Sequence, residues 1–364
     1  MRGERARFID RLRVFLTALV VFHHTALTYG APGSWYWREI GEGRGGVLLT
    51  LFVTVNQAYF MGFFFLIAGY FTPPACDRKG PRRFAADRLI RLGLPLMAFG
   101  FVLDPLTIAM AHGDTVRAVA ARFAASVGRF GPGPLWFAAA LLIFTAGYLA
   151  WRRLRGAPAN GAARLPGHGA ILASALAVGV VAFGLRLVWP VGVTWFSLQL
   201  GYFASYVFLF AAGIAAWRGR WLERVPGRLA APWVAVSAVQ LLALPVAVLA
   251  AGSGSGAAFA GGWHWRALFY AMWEPLLAWG VILGLLWLFG RRFNAPSVLG
   301  GFLAARAYAV FVIHPPIVVG VTRALHAWGA PPLAKFAVAG SLAFAICVGA
   351  ATLLLAVPGV RRVL

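Results

Sequence analysis

The chain has 364 residues, of which 61% are hydrophobic and 12% are charged, and its mean hydropathy is +0.78. An ordinary soluble domain carries about 25% charged residues, so this composition excludes that class and predicts an all-α integral membrane protein. The net charge of +23 would suggest a nucleic-acid partner in a soluble protein. In so apolar a chain, membrane topology explains the charge, and we expect no nucleic-acid partner.

Ten apolar stretches follow one another along the chain, each close to the roughly 20 residues that a helix needs to cross a bilayer. The predicted transmembrane helices cover approximately residues 12–30, 47–71, 89–111, 134–151, 169–189, 196–217, 230–250, 267–289, 299–320 and 333–357. No polar segment between them is long enough to fold alone, so residues 1–364 are predicted to form a single transmembrane domain. The cysteines, Cys76 and Cys347, lack metal-binding spacing, and we expect no structural metal.

Basic residues are concentrated in every second loop. The loop and flank after the second predicted span hold Arg78, Lys79, Arg82, Arg83 and Arg88. Because short cytoplasmic loops retain basic residues, this alternation places both termini in the cytoplasm. Apart from Lys79 and Lys335 all the basic residues are Arg, which is typical of a GC-rich bacterial genome. We therefore expect a multi-pass protein of the bacterial inner membrane.

The first predicted helix carries polar groups on one face of the stretch "RLRVFLTALVVFHHTAL". The eleven steps from Arg13 to His24 return to within about 20° of the same face and cover about 16 Å along the axis. Asp10 and Thr17 lie on the same stripe, whereas His23 points about 100° away. A neutral imidazole inside the membrane can remove a proton from a hydroxyl group, so His24 is a candidate general base. The alternative is a histidine that only packs helices, with Arg13 as a snorkelling anchor.

The third predicted helix opens with "RRFAADRLIRLGLPL". Arg88 and Arg91 lie one turn apart at its inner end, after Arg82 and Arg83. Such a set can hold phosphate groups through charge-assisted hydrogen bonds. The alternative is a topology signal that contacts lipid headgroups.

Two later helices each place an ionisable residue directly before proline. His314 precedes Pro315 and Pro316, which remove backbone donors and are predicted to kink the ninth helix and open space beside the histidine. A packing role for His314 is the alternative. Glu274 precedes Pro275 deep in an apolar segment, and it needs an imidazole or arginine partner to stay ionised.

Several motifs, in the same order along the chain, resemble the acyltransferase 3 family of membrane acyltransferases, and within it the glucan biosynthesis protein C group. They are "FIDRLRVFLTALVVFHH", "FFFLIAGYF", "FAADRLIRLGLPL", "PLWFAAALL", "YFASYVFLFAAGIAAWR" and "AYAVFVIHPPIVV". The resemblance covers nearly the whole chain. It departs from the family at Ala68, where a serine is usual.

The resemblance implies an enzyme that moves an acyl group, of acetyl or succinyl type, from cytoplasmic acyl-CoA to a hydroxyl of an extracytoplasmic or lipid-linked glycan. On this reading Arg88 and Arg91, with Arg82 and Arg83 nearby, hold the phosphates of CoA. The thioester reaches His24, which acts as general base or as a transient acyl carrier.

The remaining site residues receive supporting roles from the same resemblance. Arg13 orients the donor or pairs with Asp10, and His314 and Glu274 orient His24 or bind the acceptor.

Two other functions compete with the enzyme. In a proton-coupled transporter or glycan exporter, Arg13, His24 and Glu274 would form a proton relay. The sequence shows no inverted internal repeat of the kind that many such transporters have. The second competitor is a scaffold whose histidines only pack helices.

Overall fold

The structure is a computed structural model that describes residues 6–39, 44–113, 116–126, 130–156, 164–252 and 256–364. Within these ranges the chain is helical and forms no strand, which confirms the predicted all-α membrane protein. The ten long helices are α1 Arg7–Thr28, α2 Arg44–Lys79, α3 Pro81–His112, α4 Trp136–Arg155, α5 His168–Val188, α6 Phe203–Gly219, α7 Gly227–Ala251, α8 Trp265–Arg292, α9 Ala307–Ala324 and α10 Pro332–Leu354.

Nine of these helices, α2 to α10, are long and apolar enough to cross a membrane, counted over the described residues. The helix α1 has 22 residues, and its arginines and histidines lower its hydropathy. Large apolar side chains are exposed on the long helices, such as Leu242 at 70% and Leu249 at 80%. The hydrocarbon core of a membrane has no water to solvate polar groups, so helix surfaces that face lipid are apolar. These exposed apolar side chains fit such a surface.

The helix α3 begins eight residues earlier than predicted, at Pro81. Proline is favoured in the first turn of a helix, so Pro81 opens the helix before the apolar stretch starts. Two π-helical turns interrupt α3, at Leu89–Gly93 and Phe99–Leu103. Such turns are rare and occur frequently at functional sites.

The contacts divide the chain into two compact units, and the family motifs are found in both. The first unit comprises Met1–Leu12, Gln57–Phe84 and Phe144–Pro296. In this unit α2 and α6 cross at two glycines. A Cβ on Gly69 would overlap the Phe210 carbonyl, and a Cβ on Gly213 would overlap the Leu66 carbonyl. The glycines of "FLIAGYF" and "FAAGIAAWR" therefore allow backbone-to-backbone packing.

The second unit comprises Arg13–Asn56, Ala85–Ile143 and Ser297–Leu364. Its core joins apolar residues of α1, α2, α9 and α10, among them Val21, Val318 and Ala343, which are fully buried. This core holds α1 against α9, the two helices that carry His24 and His314.

Candidate active site

His24 of α1 and His314 of α9 form a hydrogen-bonded pair in the second unit. Nε2 of His314 lies 2.8 Å from Nδ1 of His24, and the ring planes are within 15° of each other. His314 is fully buried, whereas His24 is partly exposed. The space that we predicted beside His314 is therefore filled by the ring of His24.

A backbone carbonyl determines which ring nitrogens carry protons. Nδ1 of His314 lies 2.6 Å from the carbonyl oxygen of Phe311. In a regular helix this carbonyl accepts the N–H of the residue four positions later, but that residue is Pro315, which has no N–H. A carbonyl only accepts hydrogen bonds, so Nδ1 of His314 must be the donor.

The rest of the hydrogen-bond chain follows from this donor. Nε2 of a neutral His314 is then an acceptor, so Nδ1 of His24 donates to it and Nε2 of His24 carries a lone pair. The tautomers are assigned from the hydrogen-bond network. Nε2 of His24 is therefore a base that can remove a proton from a hydroxyl group.

The segment of residues 29–39, which we call the cap segment, covers His24. The ring of Trp35 stacks on His24 with a centroid distance of 4.2 Å and an interplanar angle of 12°. Tyr36 donates a hydrogen bond from its hydroxyl to Asp104 of α3. Burial raises the pKa of Tyr36, and the Asp104 carboxylate raises it further, so the phenol keeps its proton and remains a donor.

The cap segment is also held at its far end, by Glu39. Lys335 forms an ion pair with Glu39, and Nδ1 of His326 lies 3.1 Å from the same carboxylate. Burial acts to raise the pKa of Glu39, but the hydrogen bonds from Lys335 and His326 outweigh it, so the net shift of the pKa is downward. The carboxylate is therefore charged at neutral pH, which keeps the segment in place over His24.

His23, which the helical spacing turns about 100° away from His24, also lies inside the protein. It is buried, with 6% of its surface exposed, and its ring meets His24 edge to face at 5.6 Å. His23 therefore packs beside the candidate base, and its removal would disturb His24.

Three arginines from the N-terminal parts of α1 and α3 gather in the second unit. Arg88 interacts electrostatically with Arg13 and Arg91, and with Tyr308 of α9. The Tyr308 hydroxyl donates to the Arg91 carbonyl at 2.7 Å, a carbonyl whose regular helical partner would be the missing N–H of Pro95. The structure thus brings together Arg13, Arg88 and Arg91.

Thr17 lies between Arg13 and His24 on the predicted polar face of α1. Its hydroxyl donates to the Arg13 carbonyl of its own helix at 2.8 Å, so this donor is already used. A cavity beside Thr17, lined also by Val14 and Ala307, has a volume of about 10 Å³. That volume holds at most one water molecule, so the cavity leaves no room for a pantetheine arm. Asp10 lies on α1, in the first unit, and its pairing with Arg13 stays a prediction.

Arg82 and Arg83 lie in the first turn of α3 and are exposed. A role in binding phosphate stays a prediction for both residues.

Glu274 lies in the first unit and has an arginine partner, as its burial required. It forms an ion pair with Arg186 of α5, and the two residues are 3% and 1% exposed. In the second unit, Nδ1 of His24 and both ring nitrogens of His314 instead bond each other and the Phe311 carbonyl. A role for Glu274 in orienting His24 or binding the acceptor stays a prediction.

Sequence reasoning missed two residues of these sites. Trp35 lies in "GSWYWREI", which has the composition of a loop, and no periodicity relates it to His24. Arg186 could have been found, because an arginine inside an apolar segment needs a partner as much as Glu274 does.

The family of the chain is shown by a comparison of its sequence with protein-family models. The acyltransferase 3 model, described as an acyltransferase domain, matches residues 7–358. The chain belongs to the acyltransferase 3 family. The matched residues of this acyltransferase 3 protein lie in both units and include His24, Arg88 and His314. Neither a curated protein nor a solved structure gives a significant match, so the resemblance to the glucan biosynthesis protein C group stays a prediction.

Proposed function

We propose that this acyltransferase 3 protein transfers an acetyl or succinyl type group from cytoplasmic acyl-CoA to a hydroxyl of an extracytoplasmic or lipid-linked glycan. The family match supports a membrane acyltransferase. The observation that carries the proposal is the hydrogen-bond chain from the Phe311 carbonyl through His314 to His24. It leaves a basic nitrogen on a partly exposed ring, which is what an acceptor hydroxyl needs.

In the proposed reaction, Nε2 of His24 removes the proton of the acceptor hydroxyl. The hydroxyl oxygen then forms a bond with the thioester carbonyl carbon, the carbon–sulfur bond breaks, and the CoA thiolate leaves with the proton from His24. The imidazolium formed on His24 is stabilised by its hydrogen bond to His314. This support resembles the role of the aspartate in a Ser-His-Asp triad, but with a neutral partner.

The repulsion of Arg88 by two neighbouring arginines supports the binding of an anionic donor. Arg13 and Arg91 both repel Arg88, and the phosphates of CoA would relieve that repulsion while forming charge-assisted hydrogen bonds. On this proposal the arm of CoA follows α1 from Arg13 to His24, over about 16 Å. Since the cavity beside Thr17 is too small for it, donor binding must be accompanied by a movement of side chains or helices around Val14 and Ala307.

The transporter receives less support from the contacts. Its relay would use Glu274 as a proton carrier together with His24. The buried Glu274 carboxylate is instead paired with Arg186, and His24 is paired with His314.

The proposal is tested by replacing His24 with alanine. We expect His24→Ala to reduce acyl transfer by about 10²–10⁴-fold, the usual contribution of a general base, at an unchanged protein level. The readouts are CoA release by purified protein in nanodiscs and mass spectrometry of surface glycans, in which the added mass identifies the acyl group. His168→Ala is the matched control, because His168 is exposed at the start of α5. Unchanged glycan acylation in His24→Ala would contradict the proposal.

A further inference from the structure

A second polar site lies in the first unit, around Arg186 and Glu274. We call it the Arg186–Glu274 cluster, and it also contains Tyr202, Tyr206 and Tyr270. Both charged side chains are more than nine-tenths buried. In a membrane protein, buried charges are rare and mark functional sites by default.

The ion pair leaves one hydrogen-bonding atom unused on each side chain. Arg186 uses Nη2 for Glu274 Oε2 and Nε for the Gly201 carbonyl at 3.0 Å. Nη1 of Arg186 and Oε1 of Glu274 are buried and make no hydrogen bond of good geometry among the described residues, although the Tyr270 hydroxyl lies close to the Glu274 carboxylate. Unsatisfied buried groups are destabilising, and most for charged groups, so both atoms require a partner.

The two unused atoms define the chemistry of that partner. One is a donor on a cation and the other is an acceptor on an anion, and a hydroxyl group satisfies both because it accepts and donates. The ion pair is neutral as a whole, so an anionic ligand would be repelled by Glu274 and a cationic ligand by Arg186. A neutral ligand is therefore favoured.

The tyrosines extend the site for such a ligand. Gln57 donates to the Tyr206 hydroxyl at 2.9 Å, which places a second polar side chain beside the tyrosine rings. The rings of Tyr270 and Trp273 stack with a centroid distance of 5.7 Å, and the ring centroids of Tyr202 and Tyr206 are 6.3 Å apart. Aromatic faces beside hydroxyl-bonding groups present both an apolar surface and polar contacts, and a sugar ring has both kinds of surface.

We propose that the Arg186–Glu274 cluster binds a neutral, hydroxyl-bearing ligand, a sugar ring, through the unused Nη1 and Oε1 atoms. Arg186 lies in the last turn of α5 and Tyr202 just before α6, which the predicted topology places at the outer end of both helices. That this sugar is the acyl acceptor rests on the proposed function, whereas sugar binding by the cluster does not. The competing role is a purely structural pair that joins α5 to α8.

The test is saturation-transfer NMR with the full-length protein in nanodiscs. The probes are maltotriose, methyl mannoside and methyl galactoside, with glucuronate and glucosamine as charged comparisons. We expect transfer to at least one neutral sugar and weaker transfer to both charged ones. If none of the neutral sugars receives saturation, the inference is wrong.

The deciding variant is Arg186→Met/Glu274→Leu, which removes both charges together. Replacing a buried ion pair by apolar residues is often neutral or stabilising, so the fold is retained while sugar binding is lost. Arg152→Met/Asp77→Leu is the matched control, because it removes another ion pair of the same unit and should bind normally. Equal binding by both double variants would show that the Arg186–Glu274 pair is structural.

Two further variants keep the outcome decisive. If the double variant does not fold, Glu274→Gln should weaken sugar binding about tenfold by removing a charged acceptor, and unchanged binding would overturn the inference. His24→Ala should bind sugar normally without transferring an acyl group. Sugar binding without any acyl transfer by the native protein would contradict the proposed function alone, and transfer without sugar binding would contradict this inference alone.

Discussion

At Pro315 the backbone of α9 has no N–H to give to the Phe311 carbonyl, and His314 supplies the missing donor from its Nδ1. Through that hydrogen bond a proline determines the tautomer of His314, and His314 determines the tautomer of His24. No carboxylate takes part in the hydrogen-bond chain. The basic nitrogen of His24 therefore depends on the Phe311 carbonyl, which has no backbone donor because Pro315 lacks an N–H.

This dependence makes Pro315→Ala an informative variant. The new N–H competes for the Phe311 carbonyl, so His314 loses its fixed donor and its orientation. We expect acyl transfer to fall about 10–100-fold, the range seen when an orienting partner is lost, while the protein stays folded. Steady-state kinetics of CoA release measures the change.

Pro316→Ala is the control for this variant. It adds an N–H for the Val312 carbonyl, whereas the described His24–His314 pair bonds the Phe311 carbonyl. Its activity should match that of the native protein. Equal losses in the two variants would mean that the prolines act only on packing.

The residue scale also shows what sequence alone can give. Helical periodicity places Arg13 and His24 on one face of α1, because both belong to the same helix. The bond between His24 and His314 joins positions 290 apart in the chain, and no periodicity relates them. The buried state of His23 depends in the same way on tertiary packing, so spacing along α1 does not predict it.

At the scale of elements, the cap segment connects α1 to α2 and is attached to three other helices. Tyr36 bonds to Asp104 of α3, Trp37 stacks with Arg323 of α9 at 4.5 Å, and Glu39 pairs with Lys335 of α10. These attachments hold Trp35 on His24. Composition predicts a loop here, but not its anchors, because each anchor is formed by a helix distant in sequence.

Glu39→Gln should release the far end of the cap segment. The neutral amide loses the ion pair with Lys335, so amide hydrogen exchange in residues 29–39 should become faster at neutral pH. In the native protein the pKa of Glu39 is lowered, so the attachment is fully present above the ordinary pKa of a glutamate and is lost as the pH falls through the lower folded-state pKa. Exchange in Glu223→Gln, which alters a pair in the first unit, should leave this segment unchanged. An unaffected exchange rate in Glu39→Gln would show that the pair does not hold the segment.

At the scale of the whole molecule, composition and apolar length predict the helical membrane architecture. The ten predicted stretches correspond to α1–α10, because apolar length is a local property of the sequence, whereas the orientation that the loop charges indicate stays a prediction. Each of the two units combines three segments that are separate in the sequence. This division depends on which helices pack together, and the sequence does not reveal that packing. The short turn at Trp195–Leu198 is also unpredicted, since Phe196 and Ser197 both adopt positive φ there without glycine.

Cysteine accessibility tests the predicted orientation of the whole chain. Arg82 at the start of α3 and Phe196 in the turn before α6 are both exposed, whereas the native Cys76 and Cys347 are buried. With both termini in the cytoplasm, Phe196→Cys should react with a membrane-impermeant thiol reagent added outside intact cells. Arg82→Cys should react only after the membrane is opened. The reverse pattern would place the termini on the other side.

The central claim is that His24 and His314 act as one catalytic unit, and a double-mutant cycle on the acyl-transfer rate tests it most directly. His24→Ala should lose about 10²–10⁴-fold and His314→Ala about 10–100-fold. The double variant should lose no more than His24→Ala alone, because groups that act together are not additive. A double variant whose loss equals the product of the two single losses, or a His24→Ala variant that keeps the native rate, would contradict the account.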